Sequence, residues 1–224
     1  MHSTFHPSQK NILQHLPGID ICIYPVALVG DEMTEQLKIS PRDRVRLRQI
    51  KHPQKRIEFL ASRLALSALN PKYRITYEGR IPSLDNGKHI SITHAHNVAA
   101  AAMSENYIVG IDVEAERQQL FKISDKFLHP EEKMMIRPDR VLADLHVYWG
   151  AKEALFKIWK YGEVDFSHEF RVAPFAAKDS GETTATILKG GLEIHCNIHF
   201  QKMNNYYMVV AWTEKQSPMK NLLA

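Results

Sequence analysis

The run Gly110-Ile111-Asp112-Val113-Glu114 alternates apolar and acidic residues with a period of two. Side chains on a strand point alternately to opposite faces, so this run predicts a strand with Ile111 and Val113 toward a core and Asp112 and Glu114 together on the other face. Farther along, Trp149-Gly150-Ala151-Lys152-Glu153-Ala154-Leu155-Phe156-Lys157 lies in the main helix predicted for the second half, Leu142 to Tyr161, ending at Gly162. Trp149, Phe156 and Trp159 have helical spacing and predict core contacts. Asp112, Glu114 and Glu153 form a hard oxygen set suited to Mg²⁺, and Lys152 and Lys157 suit phosphate. Plainer readings exist: a half-exposed strand end, and a Glu153–Lys157 helix pair worth roughly a few tenths of a kcal/mol. The clusters taken together point to phosphate chemistry.

The rest of the chain predicts helix followed by antiparallel strands, twice. Residues 19–29 read as a strand, with Pro25 suggesting a sheet edge. Ser40-Pro41 opens a helix into the basic run Arg42 to Lys51. Gln54 to Leu69 is helical, with Ile57, Leu60, Ala61, Leu64, Ala65, Ala68 and Leu69 as its apolar stripe and Asn70-Pro71 as its stop. A loop over 79–87 precedes strands at His89–His94, Val98–Ser104 and Tyr107–Glu114. Helical pieces broken at Pro130 and Pro138 fill 117–148, and short strands are expected around 167–173, 182–188, 192–200 and 206–213. The expectation is an α+β fold, with a subdomain at 1–115 and another at 116–224, tightly packed and with the active site between them.

At 224 residues, 44% hydrophobic and 24% charged, the chain can bury an ordinary core. Its net charge of +4 favours anionic partners without selecting one. Cys22 and Cys196 have no framework spacing and predict free thiols. No signal peptide and no window approaching a membrane span is apparent, so a cytoplasmic, membrane-free protein is expected.

Gly-Ile-Asp-Val-Glu at 110–114 followed by Trp149-x-x-Lys152-Glu153-Ala154-x-x-Lys157 resembles the 4′-phosphopantetheinyl transferase superfamily, over roughly residues 55 to 215. The length suits the larger, single-chain surfactin type. The resemblance implies two pseudo-twofold-related subdomains, each a helix on a small antiparallel sheet. It also implies transfer of phosphopantetheine from coenzyme A to a serine of an acidic acyl or peptidyl carrier protein, releasing adenosine 3′,5′-bisphosphate. Mg²⁺, with Mn²⁺ as the alternative ion, would be bound by Asp112, Glu114 and Glu153. Glu153, Lys157 and His94 would be catalytic, and Arg63, Arg56, Arg80, His94, Lys152 and Lys157 would hold coenzyme A. Thr93-His94-Ala95 keeps the family histidine but replaces both flanking serines, and Gly79-Arg80-Ile81-Pro82 resembles the adenine loop with Ile81 inserted. Taken without the resemblance, His94 and His96 share a strand face as polar surface residues. A monomer is expected, and nucleic acid is not expected as a partner.

Two other classes are weighed beside it. A Mg²⁺-dependent phosphodiesterase or nuclease also needs clustered carboxylates and a lysine, but Asp112-Val113-Glu114 lacks the E-x-K lysine such sites often carry. A nucleic-acid-binding module on the basic run 42–56 needs interleaved aromatics or glycines, and from Arg42 onward that run has none before Phe59.

Overall fold

A computed structural model describes residues 12–29, 37, 39–72, 75–78, 81–84, 87–95, 97–160, 162–176 and 178–215. It has a mixed α+β fold and divides into two units, Met1–Asn106 and Tyr107–Ala224.

Among the described residues of the first unit the first element is β1 (Ile12–Leu16), a strand with no counterpart in the expectation from sequence. Pro17-Gly18 turns it directly into β2 (Ile19–Pro25), Gly18 supplying a φ of 74° that other residues rarely adopt. A short 3₁₀ turn, Val26–Leu28, ends the predicted strand early. Helix α1 (Pro41–Gln49) starts where Ser40-Pro41 predicts, with Ser40 Oγ accepting from Asp43 N at 3.1 Å. Helix α2 (Pro53–Leu69) follows, then a small hairpin of β3 (Ile75–Glu78) and β4 (Ile81–Leu84), the latter inside the predicted loop. β5 (His89–Ala95) and β6 (Val98–Ser104) complete a four-stranded antiparallel sheet in the order β1-β2-β6-β5. β2 is therefore central and not an edge. Pro25 is tolerated because β1 ends its pairing at Ile23, so Pro25 has only β6 beside it. Ala61, Leu64 and Ala65 of α2 pack on Cys22, Tyr24, Ala99 and Ala101, as the stripe predicts.

The second unit starts with β7 (Tyr107–Ala115), followed by α3 (Gln119–Phe127), α4 (Pro130–Met134) and α5 (Val141–Trp159). β8 (Phe170–Val172), β9 (Ser180–Lys189), β10 (Leu192–Met203) and β11 (Tyr206–Glu214) form an antiparallel sheet with it, ordered β7-β11-β10-β9-β8. The strand placed at the end of the first half thus pairs along its whole length with β11, from Tyr107↔Glu214 to Ala115↔Tyr206. α5 stops at Lys160, which takes the left-handed conformation (φ 65°), short of the expected Gly162. Leu145, Ala151, Leu155 and Ile158 of this helix meet Phe170, Ile187, Ile198 and Val209 in the unit's core.

Both units repeat one topology. A strand leads to a long helix and then to a hairpin whose second strand pairs with the first: β2-β6-β5 in one unit and β7-β11-β10 in the other. Each has its helix packed on an antiparallel sheet.

Candidate active site

The site is built where α5 crosses β7, and two glycines set the distance. A Cβ on Gly110 would lie 2.0 Å from the Ala154 carbonyl oxygen, so the helix backbone rests directly on the strand. A Cβ on Gly150 would meet Val209 Cγ2 at 2.7 Å. With the helix that close, Lys157 Nζ donates to the Ile111 carbonyl at 2.7 Å and to Asp112 Oδ1 at 2.8 Å. Asp112 is only 5% exposed, so the acidic face of β7 points under the helix and not toward open solvent. A charge-assisted contact of this kind is stronger than a surface pair because little water competes for it.

Glu114 is held at one oxygen. Its Oε1 accepts from Trp149 Nε1 and from Arg117 Nη2, both at 3.3 Å, and the Arg117 guanidinium lies 5.7 Å from the Trp149 ring centroid. Buried His146 fixes the turn after β7: its Nε2 accepts from the Arg117 amide at 3.1 Å, while Nδ1 contacts the Leu142 carbonyl at 2.7 Å. Burial lowers the His146 pKa, consistent with a neutral ring in that role.

Glu153 lies in the field of both strand carboxylates. Burial, reinforced by Asp112 and then Glu114, pushes it up to about 7, although Lys157 and Arg117 oppose the change. Glu114 is raised as well, first by burial and then by Asp112. Three carboxylates that disfavour one another's charge are the kind of group a hard divalent cation would stabilise. Among the described residues no three acidic, histidine or cysteine side chains already converge in ligand geometry. Lys157 occupies Asp112 Oδ1, and Trp149 with Arg117 occupies Glu114 Oε1.

Most of the other expected site residues have partners of their own within their unit. Lys152 is fully buried, donating to the carbonyls of Phe127 (2.6 Å) and Phe166 (3.0 Å) and to Glu132 Oε2 (2.5 Å). The expected phosphate contact is therefore corrected to an internal one: adjacent helix residues point about 100° apart, so Lys152 and Glu153 leave the helix in different directions. Arg63 is buried too, its guanidinium donating to both oxygens of Asp43 (2.9 and 3.3 Å) and to the Tyr77 hydroxyl (2.5 Å). Arg56 Nη1 caps the end of α1 through the carbonyls of Leu47 (2.5 Å) and Ile50 (3.3 Å). Both arginines are thus committed within the first unit, in place of the open phosphate contacts expected of them. His94, half exposed on β5, has its Nδ1 3.3 Å from Glu58 Oε2 of α2. Arg80 and His96 lie outside the described residues. Phe156, expected in the core, is 37% exposed, whereas Trp159 is buried.

Sequence reasoning missed Arg117, Glu132 and the Glu114 contact of Trp149, and it gave Gly110 and Gly150 no role. The glycines stood inside the two motifs, which was the available signal.

Fold and site together define a largely buried carboxylate–lysine cluster on an α+β scaffold. Residues 108–211 match the family model of the 4′-phosphopantetheinyl transferase superfamily. The matched stretch lies within the second unit and contains Asp112, Glu114, Arg117, Trp149, Glu153 and Lys157. No curated protein matches the chain.

Proposed function

We propose that this protein transfers the 4′-phosphopantetheine group of coenzyme A to the serine hydroxyl of an apo acyl or peptidyl carrier protein, with Mg²⁺. The observation that carries the reading is the Asp112–Glu114–Glu153 cluster with Lys157 at its edge, lying within the superfamily match. Asp112, Glu114 and Glu153 would hold the ion, which when bound withdraws charge from the phosphorus under attack. The serine oxygen forms the new bond to that phosphorus. The bond to the nucleotide side of the pyrophosphate breaks, and adenosine 3′,5′-bisphosphate leaves with the electron pair.

Glu153, raised to about 7, is suited to take the serine proton near neutral pH. Lys157, fixed by the Ile111 carbonyl, supplies positive charge for the phosphoryl oxygens. His94 and Arg80 are proposed contacts for coenzyme A. The mild basic balance of the chain favours encounter with an acidic carrier. No helix among the described residues is long and apolar enough to cross a membrane.

Intact-mass spectrometry of apo carrier proteins incubated with the chain, coenzyme A and Mg²⁺ tests the reading. A carrier heavier by one phosphopantetheine, with the adduct abolished by EDTA, is the expected result. Absence of any adduct together with absence of coenzyme A binding overturns it, and Mg²⁺-dependent cleavage of nucleic acid would replace it with the phosphodiesterase reading.

A further inference from the structure

Lys152 stands beside Glu153 in sequence yet never reaches the carboxylates, and its three donors have three fixed acceptors. A lysine ammonium has three protons, so none is left over. Two of those acceptors share a feature that simple burial does not require. Phe127 and Phe166 offer their carbonyls to the same ammonium, and their rings bracket Trp149. Phe127 meets the indole edge-on at 5.2 Å between centroids, and Phe166 lies at 6.0 Å with its plane tilted 34°. The third acceptor, Glu132, is itself tied down. Its Oε2 also accepts from the His129 amide and its Oε1 from the Val172 amide, both at 2.8 Å. The end of α3, the start of α4, β8 and the segment before β8 are thus joined to α5 at one point.

We propose that Lys152 is a positioning residue for Glu114: by clamping the Phe127 and Phe166 backbones it fixes the aromatic slot that aims the Trp149 N–H at the Glu114 carboxylate. The proposal deepens the transferase reading and rests on it for its functional meaning, because Glu114 is one of the proposed ligands. The chain of contacts runs Lys152, Phe127 and Phe166, Trp149, Glu114. The last link is the 3.3 Å bond from Trp149 Nε1, and Arg117 shares the same oxygen. Losing the slot therefore removes one of two donors.

The test uses the full chain, with Mn²⁺ as the probe ion, and reads Trp149 directly. Lys152→Met alone would leave Glu132 buried without its counter-ion, so the variant is Lys152→Met with Glu132→Gln, which removes both charges. Three variants are compared with wild type: this double change, Trp149→Phe, and the triple change. The near-ultraviolet circular dichroism due to Trp149 is the signal that Trp149→Phe removes. The double change should abolish most of it while far-ultraviolet spectra stay native. Mn²⁺ binding should weaken about tenfold in the double variant and in Trp149→Phe, roughly what one lost hydrogen bond to a charged group corresponds to. The triple variant should bind no worse than Trp149→Phe, since both act through one path.

Losses that multiply in the triple variant, or a folded double variant with the Trp149 signal intact, overturn the proposal. Should the double variant not fold, Phe166→Leu replaces it. That change opens one side of the slot and must give the same Trp149 and Mn²⁺ signature, and an unchanged signature overturns the clamp. A wild-type chain that neither binds Mn²⁺ nor modifies a carrier sinks the transferase reading, while the Trp149 spectra still decide the clamp.

Discussion

Glu153→Gln should stabilise the protein at alkaline pH while abolishing transfer. The Glu153 carboxyl moves from its ordinary 4.5 to about 7 on folding. At about 1.36 kcal/mol per pKa unit this disfavours the ionised form by roughly 3 kcal/mol, and screening at a partly exposed group trims it to about 2 kcal/mol. The folded-state pKa is raised, so between about 4.5 and 7 the folded chain binds more protons than the unfolded one. Stability from this group is accordingly intact below about 4.5 and is lost as pH rises through about 7. Urea or thermal unfolding of wild type and Glu153→Gln, at pH 5 and pH 8 in EDTA, measures the difference. Because every other group is common to both proteins, the change in their gap isolates Glu153. The glutamine variant should gain about 2 kcal/mol relative to wild type at pH 8, or roughly 4–8 °C in melting temperature, and little at low pH. Adding Mg²⁺ at pH 8 should raise the wild type alone. Parallel pH–stability curves for the two proteins would refute the claim that burial beside Asp112 and Glu114 strains this carboxylate.

Gly110→Ala forces a methyl group to within 2.0 Å of the Ala154 carbonyl. Because the obstacle is backbone, a loss of about 3 kcal/mol or more is expected in urea unfolding. Asp43→Ala leaves the Arg63 guanidinium buried without its carboxylate, and a loss of about 3–5 kcal/mol is expected by the same assay. Asp112→Ala removes the acid under α5 and should steeply raise the Mg²⁺ concentration needed for carrier modification, whereas an unchanged titration would exclude it as a ligand. Arg56→Met removes the cap on α1 and should cost about 1 kcal/mol without changing Mn²⁺ affinity.

The periodic parts of this fold were legible. The α2 stripe, the alternation in β7 and the length of α5 follow from which residues can share a face, and the structure places them accordingly. Arg56, Arg63 and Lys152 were read toward phosphate because a sequence shows a cation's charge and not its partner. Asp43 is twenty residues from Arg63, and Glu132 the same distance from Lys152, so no local spacing announces either pair. The pairing partner of β7 is hidden for a related reason. β7 follows a tight turn after β6 and reads as a meander, but its partner is β11, some ninety residues later in the chain. Strand partnership beyond the nearest hairpin is written in side-chain fit across the sheet, which a linear pattern does not display.

The repeated strand–helix–hairpin topology sets different residues at corresponding strand positions of the two units. In the first unit β2 presents Cys22 and Tyr24 to the α2 side, where they join Ala61 and Ala65 in an apolar core. In the second unit β7 presents Gly110 and Asp112 at the corresponding face of its helix, with Glu114 beyond them. The glycine removes the bulk that would hold the helix away. The carboxylate then meets a lysine in a setting where neither charge is well hydrated, and that pairing offsets the cost of burying it. The same economy separates the two helices: α2 spends Arg63 on Asp43 below it, whereas α5 turns Lys152 inward and leaves Glu153 facing the strand carboxylates. A scaffold that closes its core with apolar residues in one unit thus acquires a strained, protonatable acid in the other through a glycine and a change of polarity at two strand positions.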